Sequence, residues 1–354
     1  MTKIPIALVG VNHPHISDWQ GVLPDVPELT PTACYDSDPS LSRRLLCPPY
    51  DSLPLYGNLD ELLAKHTVQA AIVLLPLEQA EGALLTLARA GVHVMAEKPV
   101  VRTAPALQKV KAALRPGAVF YSGYCWRWDA IINQVRSLVS DGILGDLWSI
   151  EMRWITSQVG TQPGRPAHRD PKHFLFRRDV SQGGMLEWLG CHWIDLMLYI
   201  TGQPISSVMA MTAQQTTQEI DVEDTATCLM RFANGMLGSL NVGYLLPTGG
   251  QACLSLCGSL GWMQWDWKDG REFTVHSEHP SWSVAPTRTF DFTLPVRASY
   301  GDGKGAALLH DFARCIAAGG DAPAMTVDDP IRVLEVLDAA YDSAATGKAV
   351  VPTS

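Results

Sequence analysis

Along the first third of the chain, short apolar or β-branched runs alternate with segments in which apolar residues recur every three or four positions. The runs at 4–9, 29–35, 70–75, 93–97 and 118–121 predict strands, and the segments at 59–65, 78–90 and 104–114 predict helices. Within 78–90, Ala80, Ala83, Leu84, Leu87 and Ala88 form the stripe of a helix laid on a sheet. Such alternation predicts right-handed crossover units around a doubly wound, buried parallel sheet.

Beyond Ser122 the texture changes. A helix is predicted over 129–140, a turn at Gly142 and Gly145, a strand over 148–155 and a helix over 185–200. Seven strand-like segments follow, at 208–216, 225–232, 236–245, 252–256, 261–267, 271–276 and 289–294. Asn234-Gly235 and Asp269-Gly270 separate neighbouring segments and are strong hairpin signals. This half reads as an α+β domain on an open, mostly antiparallel sheet with helices on one face. Helices over 305–318 and 328–346 end the pattern. The predicted division is residues 1–122 and 123–354, with terminal helices able to pack back on the first domain.

The 354 residues carry a net charge of −9, which argues against a nucleic-acid partner because such binding needs a basic face. With 47% hydrophobic and 18% charged residues, the chain can bury two cores and lies far from the disordered class. Eight scattered cysteines without a CxxC predict reduced thiols and a cytoplasmic protein with no zinc site. No leader is predicted, and no apolar run is long enough to span a membrane.

The chemistry gathers at predicted strand ends. The first strand leads into Gly10-Val11-Asn12-His13-Pro14-His15, where a dinucleotide loop would place glycines at 10, 12 and 15. Only Gly10 matches, although Asn12 tolerates a left-handed backbone and Pro14 suits a first helical turn. Anion binding and an ordinary strand-to-helix turn both fit. The second strand ends at Asp36, positioned to bind a ribose diol and to repel a 2′-phosphate, which favours NAD over NADP; a helix cap is the other reading. The fifth ends at Glu97-Lys98-Pro99, and a lysine at that rim faces ligand in open α/β sheets.

From this point the chain resembles the glucose-fructose oxidoreductase / inositol dehydrogenase / MocA family, whose EKP motif corresponds to Glu97-Lys98-Pro99. The family pattern continues with Gly123-Tyr124-Cys125-Trp126-Arg127, Gly142-Ile143-Leu144-Gly145, the run from Gly183-Gly184 to Asp195, Glu223-Asp224-Thr225-Ala226, Asn234-Gly235 and a closing segment at Ser343–Gly347. The resemblance implies a Rossmann-type first domain and an oxidoreductase with NAD as cofactor. It implies that Gly10, Asn12, His13, His15, Asp36, Leu75, Pro76, Glu97, Lys98, Pro99 and Arg127 form the cofactor site. Besides Asn12 and His15, three positions depart from the pattern. Trp188 stands where the family has a catalytic aspartate, Ala80 where a histidine is common, and Leu75-Pro76 where Thr-Pro is usual.

In the reaction so implied, His192 takes a hydroxyl proton while Lys98 holds the hydroxyl and stabilises alkoxide charge. Asp195 and Glu187 are candidate orienters of His192, of which only Asp195 shares its face on a regular helix. Taken without the family pattern, His192 reads as a core histidine. Tyr124, Trp126, His168, His173, Arg177, Trp188 and His192 are the candidate substrate-binding residues; a solvated loop and plain packing are the competing readings for the loop residues and tryptophans. The favoured function is oxidation of a ring hydroxyl on a sugar, glycoside or cyclitol in a cleft between the domains. The alternatives are an NAD-retaining lyase or glycoside-cleaving enzyme using transient oxidation, and a non-catalytic nucleotide- or sugar-binding regulator. The uncovered sheet face predicts a homodimer or homotetramer.

Overall fold

A computed structural model describes residues 3–13, 15–160, 171–216, 219–266, 271–292 and 300–353. The chain divides into two compact units, Met1–Trp128 with Val296–Ile331, and Asp129–Pro295 with Arg332–Ser354.

The first unit contains strands β1 (Ile4–Val9), β2 (Leu29–Tyr35), β3 (Leu55–Tyr56), β4 (Ala70–Val73), β5 (His93–Ala96) and β6 (Phe120–Ser122). All pair in parallel, in the order β3-β2-β1-β4-β5-β6. This is the strand order of dinucleotide-binding folds, with its reversal beside β1. The helices between strands include α1 (Ile16–Val22), α2 (Pro39–Ser42), α3 (Leu59–Lys65), α4 (Leu77–Ala90) and α5 (Ala104–Ala113). The stripe anticipated on α4 is buried, together with Leu77. Pro31 lies inside β2 although it has no N–H for the ladder; the β1–β2 register shifts there, and the Thr32 hydroxyl donates to Ile6 O instead.

Register aligns the ends of these strands. Val9 sits opposite both Tyr35 and Val73, Val73 opposite Ala96, and Ala96 opposite Ser122. The next residues continue the ladder: Gly10 N–H donates to Tyr35 O, Leu74 to Val9 O, Glu97 to Val73 O and Gly123 to Ala96 O. Gly10, Asp36, Leu74, Glu97 and Gly123 therefore follow the carboxyl ends of five neighbouring strands along one rim.

The second unit starts with α6 (Ala130–Ser140), whose first turn is capped by the Asp129 carboxylate on Ile131 and Ile132 N–H. Then come β7 (Leu147–Ser157), α7 (Cys191–Thr201), β8 (Ile205–Ala213), β9 (Thr225–Phe232), β10 (Leu237–Leu246), β11 (Gly250–Gly258), β12 (Gly261–Asp266), β13 (Glu272–Ser277) and β14 (Thr287–Asp291). They form one sheet, ordered β14-β13-β12-β11-β7-β10-β9-β8. Every pairing is antiparallel except β7 with β10, because β7, the earliest strand, inserts at the centre. Along β8 and β9 the faces alternate: Val208, Ala210, Ala226, Cys228 and Met230 are buried, whereas Met209, Met211 and Leu229 are exposed. The Asp269-Gly270 hairpin signal lies outside the described residues.

The helix expected over 185–200 is not regular. Leu186–Gly190 forms a π-turn and α7 begins only at Cys191. Gly190 closes this turn, and a Cβ there would approach the Leu186 side chain to 2.9 Å.

Candidate active site

Gly10 has φ +89°, and a Cβ there would lie 2.6 Å from the Leu74 carbonyl. No other residue fits that turn. Asn12 keeps an ordinary backbone, so the left-handed tolerance anticipated for it goes unused. The loop is closed instead by side chains. His13 Nδ1 accepts the His15 N–H at 3.1 Å, and Asp36 Oδ2 accepts the N–H groups of Val11 at 2.6 Å and Asn12 at 3.0 Å. Pro14 lies outside the described residues, and α1 starts at Ile16.

Leu75 is buried beneath this turn, and Pro76 is the extended residue before α4. Glu97 and Lys98 are both buried, and the Lys98-Pro99 peptide is cis. Trp19 Nε1 donates to Glu97 Oε2 at 2.5 Å, while His15 Nδ1 stands 3.3 Å from Oε1. Burial alone would raise the Glu97 carboxyl, but His15, Lys98 and His13 outweigh it and hold the group well below the usual carboxylate range. Asp18, beside them, moves the other way because burial dominates there.

Residues 123–128 belong to this same unit. Tyr124 is fully buried, Trp126 has the Lys304 ammonium 4.6 Å from its ring centroid, and Arg127 pairs with Asp329 at 3.1 Å.

In the second unit, His192 and Asp195 are buried on α7 directly after the π-turn. Glu187 accepts the Gly183 N–H. Trp188 is 4% exposed; its indole N–H donates to Ser181 Oγ at 2.6 Å, and Phe174 meets its ring edge-on. Trp193 stacks on Trp154 with centroids 4.6 Å apart. His173 Nδ1 accepts the Leu175 N–H, and Arg177 forms an exposed pair with Asp179. His168 lies outside the described residues.

Sequence reasoning missed the support beneath this turn. Glu223 accepts the N–H groups of Gly184 at 2.8 Å and Leu186 at 3.1 Å, and the Tyr341 hydroxyl donates to it at 3.0 Å. Burial raises the Glu223 carboxyl despite these donors. Gly183-Gly184 was the available signal: a Cβ at Gly183 would strike the Tyr341 hydroxyl at 1.8 Å, and one at Gly184 the Glu223 carbonyl at 2.0 Å. Trp19, the indole donor to Glu97, carried no signal of its own.

The first unit fits a dinucleotide. It has the 3-2-1-4-5-6 strand order, a glycine turn too tight for any side chain, and a carboxylate ending the second strand. Among the described residues, no group of three or more His, Cys, Asp or Glu is placed to hold a metal ion, and no helix is long and apolar enough to cross a membrane.

Such a fold and rim mark a dinucleotide-binding protein, and comparison with known proteins gives the family. Residues 4–123 match the oxidoreductase family's NAD-binding Rossmann fold, and residues 132–264 match the GFO/IDH/MocA C-terminal domain. The chain belongs to the GFO/IDH/MocA oxidoreductase family, and its cofactor is NAD. It is 25% identical over 262 residues to the trans-1,2-dihydrobenzene-1,2-diol dehydrogenase of Bos taurus, covering 71% of this chain and 72% of that protein. It is 24% identical over 213 residues to an uncharacterised oxidoreductase of Schizosaccharomyces pombe, covering 59% of this chain but only 55% of that one. Among solved structures, a levoglucosan dehydrogenase in complex with NADH and L-sorbose superposes with a TM-score of 0.85 at 18% identity, covering 100% of both chains.

Proposed function

We propose that this NAD-dependent oxidoreductase dehydrogenates a ring hydroxyl of a sugar, glycoside or cyclitol, with Lys98 and His192 serving the reacting hydroxyl. The observation that carries this reading is the buried Lys98 at the end of β5, on the same rim as Gly10 and Asp36. The substrate class is supported by what two similar proteins are named for, levoglucosan and a dihydrobenzenediol.

Bound NAD supplies the hydride acceptor. The Lys98 ammonium donates to the hydroxyl oxygen and stabilises the negative charge that grows as its proton leaves. His192 receives that proton, a task suited to an imidazole near neutral pH. Asp195, one turn along α7, is the proposed orienter of His192, with Glu187 the other candidate. His173, Trp126 and Trp188 are proposed to shape the substrate pocket.

We also infer a homodimer or homotetramer. Met209 and Leu229 are register partners on the exposed face of the large sheet, with Met211 next along β8, and a second copy of this face would cover them.

A screen of sugars, glycosides and inositols with NAD, read by the absorbance of the reduced nicotinamide and by product analysis, tests the function. Turnover of at least one such polyol is expected. Binding without reduction of NAD across the whole panel would turn the assignment toward a regulatory relative.

A further inference from the structure

The carboxylate preceding Lys98 is held from several directions. Trp19 of α1 donates to Oε2 at 2.5 Å, the Lys98 backbone N–H donates to Oε1 at 3.2 Å, and His15 Nδ1 stands 3.3 Å from Oε1. Gly123 closes another side, since a Cβ there would come within 3.0 Å of Oε1. Glu97 thus fixes the backbone from which Lys98 projects and ties it to the loop after β1. His15 occupies the third glycine position of the dinucleotide pattern, so this chain has an imidazole where that pattern has no side chain.

A buried carboxylate needs compensating charge. The titratable groups facing Glu97 are His13 and His15 from the loop, Asp18 from α1, Lys98 from its own strand and Cys125 after β6. Burial pushes the Cys125 thiol up to about 12, so it stays neutral, and Asp18 adds only negative charge. The groups left to stabilise the carboxylate are His15, Lys98 and His13, and His15 Nδ1 is the one placed 3.3 Å from Oε1. Without His15, the carboxylate draws on the Lys98 ammonium instead.

We propose that His15 and Glu97 are positioning residues for Lys98: the imidazole placed at Oε1 helps hold the carboxylate that anchors the lysine's backbone, and the ammonium is left for the substrate hydroxyl. This rests on the role given to Lys98 above.

Infrared difference spectroscopy of the full chain without added nucleotide, followed as pH falls, reads Glu97 directly. The protonated-carboxyl band that is missing in Glu97→Gln belongs to Glu97. In His15→Gly that band should grow in roughly 1 to 3 pH units higher than in the wild type, the usual effect of losing an opposite charge nearby. At saturating NAD, His15→Gly should also lower kcat by about tenfold. His15→Gln and His15→Lys, which each return a donor beside Oε1, should recover part of it. An unmoved band, or a His15→Gly protein with wild-type kcat, overturns the role of His15. If Lys98→Ala keeps wild-type turnover, the role of Lys98 fails and the proposal falls with it; a crippled Lys98→Ala with an unmoved band removes the His15–Glu97 link alone.

Discussion

Asp36 Oδ2 lies 2.6 Å from the Val11 backbone nitrogen, so the carboxylate ending β2 holds the loop that follows β1. Oδ2 also accepts the Asn12 N–H, and Oδ1 that of Asp38. One side chain therefore supports the loop, and in the cofactor role proposed for it the same carboxylate would repel a 2′-phosphate. NAD should bind more tightly than NADP. Asp36→Ala should relax that preference by about 1 to 3 kcal/mol and weaken NAD as well, since the loop loses its anchor. Fluorescence titrations with both nucleotides check this, and equal or tighter NADP binding by the wild type contradicts it.

Glu97 gives a pH signature in stability. Its folded-state carboxyl is held below its ordinary value of 4.5. The stability it contributes is therefore present above that value and is lost as pH falls through it toward the lower folded value. Urea unfolding should show the gap between wild type and Glu97→Gln largest near neutral pH and narrowing once pH drops below 4.5. A gap that stays constant on acidification contradicts the ion-pair account.

Trp188 stands where the family pattern has an aspartate, and its surroundings are built for an indole. Trp188→Phe should cost about 1 kcal/mol through the lost bond to Ser181. Trp188→Asp should cost roughly 3 to 5 kcal/mol, because it removes the packing on Phe174 and buries a carboxylate there. Denaturant unfolding measures both. A stable, more active Trp188→Asp protein would instead identify a disabled relay.

The exposed face of the large sheet carries the assembly prediction. Met211 is 74% and Leu229 57% exposed in the single chain. Light scattering at micromolar concentration should give at least twice the monomer mass. Met211→Glu combined with Leu229→Glu should return a monomer, and a wild-type monomer contradicts the inference.

How much of this was legible depended on whether a feature was local. Strands 4–9, 29–35 and 225–232 and the helix 328–346 are found at their predicted bounds, since each is a continuous pattern with clear ends. β3 has only two residues and shows no periodicity. The central, parallel placement of β7 follows from pairings distant in sequence, which alternation along one strand cannot report. The π-turn was hidden for a related reason. Gly183 and Gly184 are visible in the sequence, but the Tyr341 hydroxyl and the Glu223 carbonyl, which leave no room for a Cβ at either, converge on them only in the fold. Lys98 could be named as a candidate because a lysine ending a buried strand has few structural reasons to be there; the contacts of His15 and Trp19 with the neighbouring Glu97 could not be read.

The central claim is that Lys98 and His192 serve one reacting hydroxyl. With a substrate found by screening, NADH formation at saturating NAD should fall by roughly 10²-fold or more in Lys98→Ala and in His192→Ala. NAD affinity should change far less. Both variants turning over that substrate at the wild-type rate would contradict the proposed site.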